Sequence, residues 1–252
     1  MKNVLQKVVL MLSLTASITW GQGPGVGFTV DFSQCTEFAG VGPVSFAKAS
    51  ASVPSVFSAL TVGATGGIVV RATSCSGVKV NGGFSIPTNI SQIGVEIVPP
   101  DGTGDINNYT LIYASNNAEL VLAFNLAGVP AVFDPTLVYE FTYDSTGKAG
   151  TLYAEVEGLG LPPYFIFGPE TDPAPNTAQD FKANWWYANS NEKVKQASDF
   201  PNISFGTSSV GLYTDKTSML GQLIGGNSDT NFGFLPLRGV YPTAHMVVTV
   251  TK

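Results

Sequence analysis

The fold is decided by residues 109–141, which read YTLIYASNNAELVLAFNLAGVPAVFDPTLVYEF. The segment begins and ends with runs of aromatic and β-branched residues, the pattern of a strand. Between these runs, Asn116 or Asn117 can cap a helix over 118–126, because a short polar side chain accepts hydrogen bonds from the first free backbone N–H groups. Gly128 favours the left-handed backbone that ends a helix. The segment therefore predicts a strand, a short helix and a second strand in close succession.

Strand-like runs recur along the rest of the chain, and clusters of Gly, Pro, Asn and Asp separate them. Each run is rich in β-branched or aromatic residues, as strands are. The predicted strands cover 66–74, 94–100, 109–115, 136–144, 150–158, 164–168, 202–214 and 244–251. Helical signals are few, and we expect only a turn or two at 52–60 and at 217–226. The pattern predicts one all-β domain (a β-rich α+β class) that is mostly antiparallel and has a few short helices.

The composition excludes several classes of partner and cofactor. The 252 residues carry 12 Lys and Arg against 18 Asp and Glu, a net charge of -6, and the basic residues are scattered. Nucleic-acid binding needs clustered cations, so we expect no nucleic-acid partner. A single His and two Cys are too few for an ordinary zinc site, so we expect no metal and no cofactor. No serine stands in a G-x-S-x-G elbow, which marks one class of hydrolase.

Residues 1–21 have the pattern of a secretory signal peptide. Lys2 and Lys7 precede a short apolar run at 8–14, and small and polar residues follow it. The apolar run is too short to span a bilayer. We therefore expect the mature protein to be the domain of residues 22–252, secreted to the extracellular space with no membrane attachment.

Export to an oxidising compartment gives the two cysteines a role. We expect Cys35 and Cys75 to form a disulfide bond, and two free thiols are the alternative. The motif Asn-x-Ser/Thr occurs at Asn89, Asn108 and Asn202. These three residues are the predicted glycosylation sites if the host is a eukaryote.

As one unit, residues 109–141 resemble the central segment of the acetoacetate decarboxylase-like family, in which a strand, a helix and a Gly-x-Pro-Lys element follow one another. The segments 49–60, 93–100 and 218–240 are similar to the family's Pro-containing turn, a Glu-bearing strand and the C-terminal Gly-Gly turn. The resemblance implies a β-rich cone or barrel around a mostly apolar cavity. It also implies a lysine that forms an imine with a β-keto acid, but Ala131 stands at that position here. Alanine has no amine, so this chain is predicted to lack Schiff-base chemistry.

Two charged residues of predicted strands are candidates for catalysis in such a cavity. The resemblance matches Glu96 to the family's cavity carboxylate, and apolar surroundings raise a carboxyl pKa into the range that suits general acid–base work. The guanidinium of Arg71 can hold a carboxylate or a ketone oxygen. The alternatives are a solvent-facing Glu96 and a structural ion pair for Arg71. Lys193 and Lys195 have two interpretations. They supply the missing amine from another wall of the cavity, or they lie at a sheet edge and oppose aggregation there.

Four residues are candidates for ligand binding. Trp185 and Trp186 are adjacent in the sequence, and such aromatic residues cap an apolar pocket, stack on a sugar or pack in a core. Tyr109 and Ala131 belong to the segment that carries the family resemblance, and we expect both to line the cavity.

The sequence therefore predicts a secreted protein whose cavity binds or transforms a small, mainly apolar keto or polyketide-type molecule. Without an imine, the reaction would be of the lyase, cyclase or isomerase type, driven by a positioned carboxylate. The alternative is a non-catalytic secreted protein that binds a ligand or a carbohydrate. The sequence leaves the oligomeric state and the identity of the ligand open.

Overall fold

The computed structural model describes residues 26–158, 160–231 and 235–252, and the predicted signal peptide at 1–21 lies outside these residues. The strands are β1 Phe28–Ser45, β2 Thr61–Val62, β3 Thr65–Val80, β4 Ile86–Glu96, β5 Ile106–Ser115, β6 Ala131–Phe133, β7 Val138–Tyr143, β8 Ala149–Val156, β9 Tyr164–Thr171, β10 Gln179–Ala188, β11 Lys193–Ser208, β12 Gly211–Thr214, β13 Asp229–Asn231 and β14 Leu235–Thr251. The helices are α1 Phe46–Ala51, α2 Ala118–Leu126 and α3 Met219–Leu223. The predicted all-β class is confirmed.

Seven strands close into a barrel in the order β10-β5-β4-β3-β1-β14-β11, and the pairing of β10 with β11 completes the ring. Six of the seven junctions are antiparallel, as the sequence predicts. The exception is the parallel junction of β5 and β10, where Ile106–Tyr109 lies against Ala183–Trp186. A closed barrel leaves none of these strands with a free edge, which removes the usual route to edge-to-edge aggregation.

A smaller sheet of β7, β8, β9, β12 and β13 covers one side of the barrel. It joins the barrel at Thr207 of β11, which pairs with Thr171 of β9. Its inner face contributes Leu152 and Ile166 to a core that also includes Phe38 from the outer face of the barrel. Burial of these apolar side chains holds the two layers together.

Helix α2 closes one end of the barrel. Its N-cap is Asn117, whose side chain accepts hydrogen bonds from the backbone of Glu119 and Leu120, and Gly128 follows the helix with φ of 90°. The predicted boundaries of this helix are therefore confirmed. Phe124 of α2 packs into the barrel, with its ring 5.0 Å from that of Phe28.

Along β1, the residues that face the barrel interior change from even to odd positions at Gln34, which has a positive φ of 50°. Before this residue, the even-numbered Phe32 contributes to the interior core, and after it the odd-numbered Cys35 does so. Cys35 lies directly opposite Cys75 of β3, and the two form the predicted disulfide.

The short helices differ in part from the prediction. Helix α1 precedes the predicted turn at 52–60, because the Ser45 side chain accepts a hydrogen bond from Lys48 N and starts the helix earlier. Within the described residues, the longest helix is the nine-residue α2, and none has the length and apolar run that a bilayer span needs.

Candidate functional site

A cavity lies inside the barrel, at the end opposite α2. Its volume is about 60 Å³. Its apolar wall includes Ala39, Val41, Val69, Trp185, Phe200 and Leu237. Three charged or amide side chains also line it, namely Glu37, Arg71 and Asn108. A mostly apolar chamber with a few converging polar groups is the ordinary form of a small-molecule site.

An ion pair forms the polar part of the cavity wall. Arg71 Nη2 lies 2.9 Å from Glu37 Oε2, and Arg71 Nε donates a hydrogen bond to the same oxygen at 3.1 Å. Thr73 Oγ1 and Tyr241 OH also donate to Glu37 Oε2, at 2.8 and 3.1 Å. All four donors therefore hold one carboxylate oxygen, and this fixes the side chain of Glu37 at the cavity.

The environment keeps Arg71 charged. Burial lowers the pKa of Arg71, but the negative charge of Glu37 opposes that effect, and the net result is a pKa above its ordinary value. Both side chains are almost fully buried. Because a buried ion held by several hydrogen bonds cannot reorient easily, the guanidinium is a preorganised partner for an oxygen that gains negative charge.

Two amide oxygens inside the barrel have no partner among the described residues. These atoms are Asn108 Oδ1 and Gln92 Oε1, and both side chains are buried. The amide nitrogen of Gln92 donates to Thr110 Oγ1 at 3.0 Å and to Gln196 Oε1 at 3.3 Å, so this side chain is held on one side only. Buried acceptors normally find a donor. Asn108 lines the cavity, so its free acceptor is available to a ligand.

Glu96 lies at the mouth of the barrel, beside a second, open groove of about 370 Å³. We call this the mouth groove, and its lining includes Val41, Leu60, Val62, Gly67, Glu96 and Leu235. Burial raises the pKa of Glu96 above its ordinary value. The side chain is half-buried. Its exposure is therefore intermediate between the two alternatives from the sequence, a carboxylate inside the cavity and a carboxylate that faces solvent.

The structure does not bring Glu96 and Arg71 together. The Glu96 carboxylate lies against Gly67 of β3, because a Cβ on that glycine would be 2.3 Å from Glu96 Oε2. Gly67 and Arg71 are four residues apart on the strand, a distance of about 13 Å at the rise of a β-strand. The carboxylate beside Arg71 is instead Glu37, which we did not predict.

Both candidate lysines lie outside the cavity. Lys195 pairs with Asp101 on the outer surface of the barrel at 2.6 Å, and its ammonium lies 5.3 Å from the ring centre of Trp186. Lys193 is exposed. No lysine occurs among the described residues that line the cavity.

The four predicted ligand-binding residues lie in different places. Trp185 lines the cavity. Trp186 and Tyr109 point to the outer face of the barrel, where both rings contact Phe57. The indoles of Trp185 and Trp186 are both buried, so neither is available to stack on an external sugar. Ala131 lies near α2, away from the cavity lining, and its backbone exchanges two hydrogen bonds with the Asn125 side chain.

The three predicted glycosylation sites also differ in access. Asn202 is exposed on β11. Asn89 is half-buried, and its side chain donates a hydrogen bond to Leu137 O at 3.2 Å. Asn108 is buried in the barrel, where a glycan has no room. The structure places Asn108 in the lining of the cavity.

A second buried ion cluster lies between the barrel and the outer sheet. Arg238 contacts Glu170 Oε2 at 3.1 Å and Asp172 Oδ1 at 2.7 Å, and its guanidinium lies 3.6 Å from the ring centre of Phe141. Burial raises the pKa of Glu170 to about 7, and the charge of Arg238 only partly offsets this effect. The cluster joins the two layers and lies away from the cavity.

Comparison with known structures identifies the fold. An acetoacetate decarboxylase aligns with a TM-score of 0.56 at 9% identity, covering 91% of this chain and 89% of its own. The acetoacetate decarboxylase of Legionella pneumophila gives 0.52 at 10% identity, with 91% and 88% covered. The enduracididine biosynthesis enzyme MppR, complexed with pyruvate, gives 0.54 at 10% identity, with 98% of each chain covered.

The chain therefore has an acetoacetate decarboxylase-like fold, as the sequence resemblance implies. No protein-family model and no curated protein matches the sequence. At identities this low the likeness shows the fold alone.

Proposed function

We propose that the protein binds a small, mainly apolar ketone in the barrel cavity and catalyses proton transfer at the carbon next to the carbonyl, without an imine. One observation carries the proposal: Glu37 and Arg71 form an ion pair on the wall of a mostly apolar cavity that no described lysine lines. A carboxylate and a guanidinium side by side are the groups that enolisation needs.

The chemistry assigns one role to each group. Glu37 accepts a proton from the carbon next to the carbonyl, and the C–H electron pair forms the carbon–carbon double bond of the enolate. The carbonyl oxygen gains the negative charge, which the Arg71 guanidinium stabilises. The proton on Glu37 exchanges with water, and Glu37 then returns a proton to the ligand, so the step needs no oxidant and no cofactor. Thr73 and Tyr241 position the carboxylate through Oε2.

Isotope exchange tests this function. Incubation of 2-butanone with the protein in D2O should replace the hydrogens next to the carbonyl by deuterium, faster than in buffer alone, as followed by NMR. Glu37→Gln should abolish the acceleration, because the amide cannot accept the proton. Glu140→Gln on the exposed face of β7 is the matched control and should retain it. Exchange at the buffer rate with the wild-type protein would contradict the catalytic part.

A non-catalytic ligand-binding protein is the second candidate. The hydrogen bonds of Glu37 favour it, because four donors on one oxygen hold the carboxylate as a fixed structural part of the cavity wall. Under this alternative, 2-butanone binds, as detected by the fluorescence of Trp185, yet no deuterium enters it. The exchange experiment therefore separates the two functions.

Export of the protein is also part of the proposal. The signal-peptide pattern at residues 1–21, the disulfide Cys35–Cys75 and the exposed sequon at Asn202 support it. Expression in a eukaryotic secretory host should give a protein in the medium that begins after residue 21. Its gel mobility should change on glycosidase treatment and should not change in Asn202→Gln.

A further inference from the structure

The cavity is too small for a ligand of more than a few heavy atoms. Its volume is about 60 Å³, which on the same measure holds roughly four or five water-sized groups. A ketone head fits this space, but a chain of several methylene groups does not. Any longer ligand must therefore extend out of the cavity.

The mouth groove adjoins the cavity and offers that space. Val41 and Leu235 line both, so only these side chains need to stand between the cavity and the groove. The volume of the groove, about 370 Å³, is several times that of the cavity. A ligand whose carbonyl oxygen meets Arg71 would therefore leave the cavity past Val41 and Leu235.

Several apolar side chains that line the mouth groove are exposed to solvent. Val62 is 78% exposed, Leu235 47% and Leu60 38%, and all three line the groove. A cluster of exposed apolar side chains that adjoins a cavity marks a binding surface more often than scattered residues do. An apolar group lying on these three side chains would remove them from water.

A glycine shapes the floor of the groove. At Gly67, a Cβ atom would lie 2.3 Å from Glu96 Oε2 and 2.9 Å from Val41 Cγ1, so only a glycine leaves room for both side chains. The Glu96 carboxylate therefore packs directly against the backbone of β3. Among the described residues that line the groove, Glu96 is the only charged one. The passage is open and mostly apolar.

We infer that the ligand is an amphiphile, with a compact oxygenated head in the cavity and an unbranched apolar tail of several carbons in the mouth groove. This inference rests on the proposed function for the head and adds the tail. The carbonyl oxygen of the head accepts from Arg71, a hydroxyl group on the head donates to Asn108 Oδ1, and the tail covers Leu60, Val62 and Leu235. The ligand class is thus a medium-chain ketone or a β-hydroxy or β-keto derivative of one.

A homologous series of ketones tests the inference on the full chain. The dissociation constants of the 2-alkanones from 2-butanone to 2-nonanone are measured by the fluorescence of Trp185. We expect each added methylene to tighten binding roughly three- to fourfold, until the groove is filled and the series levels off.

Two variants and a matched control locate the tail. Leu60→Asp and Val62→Asp should flatten the dependence on chain length and leave 2-butanone affinity unchanged. Val62 is so exposed that its replacement does not disturb the core. Leu122→Asp places the same charge on α2, at the other end of the barrel, where the leucine is 59% exposed. This control should retain the wild-type dependence.

The outcomes separate the tail from the head. If 2-butanone binds and longer ketones bind no more tightly, the inference is overturned and the proposed function stands. If the dependence on chain length persists in Leu60→Asp and in Val62→Asp, the tail lies elsewhere and the inference is also overturned. If no ketone of the series binds, the proposed function fails and the inference fails with it.

Discussion

Asn108 of β5 lies beside Trp185 of β10 at the parallel junction that closes the barrel, and both side chains line the cavity. The neighbouring pair, Asn107 and Asn184, belongs to the outer face, where their side chains are hydrogen-bonded to each other. One asparagine is thus satisfied by the protein, whereas the other presents a free oxygen to the interior. This difference gives a direct test of the site.

Replacement of Asn108 by leucine should weaken ligand binding without loss of stability. Asn108→Leu removes a buried acceptor that has no protein partner, so the free energy of unfolding should stay the same or rise. The affinity for 4-hydroxy-2-butanone, whose hydroxyl group can donate to Asn108 Oδ1, should fall about tenfold, which corresponds to one hydrogen bond. Fluorescence titration and thermal unfolding measure the two effects.

Asn107→Leu is the matched control. Its Oδ1 accepts hydrogen bonds from Trp186 Nε1 at 2.9 Å and from Asn184 Nδ2 at 3.3 Å. Asn184 Nδ2 also donates to Thr103 O at 2.8 Å, so the variant leaves one buried donor, Trp186 Nε1, unpaired. We expect a loss of about 1–3 kcal/mol in the free energy of unfolding, with ketone affinity unchanged. Equal destabilisation by the two variants would contradict a ligand-facing role for Asn108.

The ion pair of Glu37 and Arg71 should behave as a coupled unit. Arg71→Met leaves the Glu37 carboxylate buried without a countercharge and should cost about 3–5 kcal/mol in the free energy of unfolding. The double variant Glu37→Leu/Arg71→Met removes both charges and should recover part of that loss. Denaturant unfolding of the single and double variants measures the coupling. Strictly additive losses would show that the two side chains do not interact.

The tail and the carboxylate at the mouth predict a pH dependence of binding. Burial raises the pKa of Glu96, and a tail in the groove buries this group further. The protonated form is neutral and costs less to bury, so 2-nonanone affinity should rise as the pH falls through that pKa. Glu96→Gln should bind 2-nonanone with no such dependence, whereas Glu140→Gln should retain it. A wild-type affinity that is constant from pH 4 to 8 would contradict this arrangement.

Stability should fall between mildly acidic and neutral pH because of Glu170. Its pKa is raised to about 7 in the folded protein, so folded Glu170 keeps a proton that the unfolded chain has already released at the ordinary, lower pKa. The free energy of unfolding therefore decreases as the pH rises towards 7 and changes no further above it, by about 1.4 kcal/mol for each unit of difference.

Urea unfolding at pH 5 and at pH 8 tests this expectation. Glu170→Gln should be less sensitive to pH than the wild type, because its amide is neutral throughout. Glu140→Gln, on the exposed face of β7, should behave as the wild type. A wild-type protein that is more stable at pH 8 would show that Arg238 keeps Glu170 ionised below pH 7.

The elements that could be predicted from the sequence are those whose signals lie within a few residues of each other. Helix α2 was predicted to the residue because its N-cap, Asn117, and the glycine that follows it, Gly128, act within one turn of the helix. Strand β3 was found from its β-branched run, and Arg71 came with it as a candidate for the cavity. The antiparallel all-β class followed from the recurrence of such runs.

The cavity carboxylate was missed because strand β1 has no single alternating pattern. The positive φ of Gln34 moves the interior face from even to odd positions, so neither period fits the whole strand. Phe38 and its neighbours are also buried on the outer face by the second sheet, which makes the strand apolar on both sides. No local signal therefore marked Glu37 as a cavity residue. The partition of Trp185 and Trp186 to opposite faces depends on the barrel register, which no local signal gives.

Because β1 pairs with β14, the barrel can close only after β14 has been synthesised. Phe28 of β1 lies opposite Val248 of β14, so strands at the two extremes of the domain share one ladder of hydrogen bonds. During translation, β1 and β11 each present an unfilled edge until β14 has left the ribosome. The ladder that completes the barrel therefore forms only after the last strand of this domain has been synthesised.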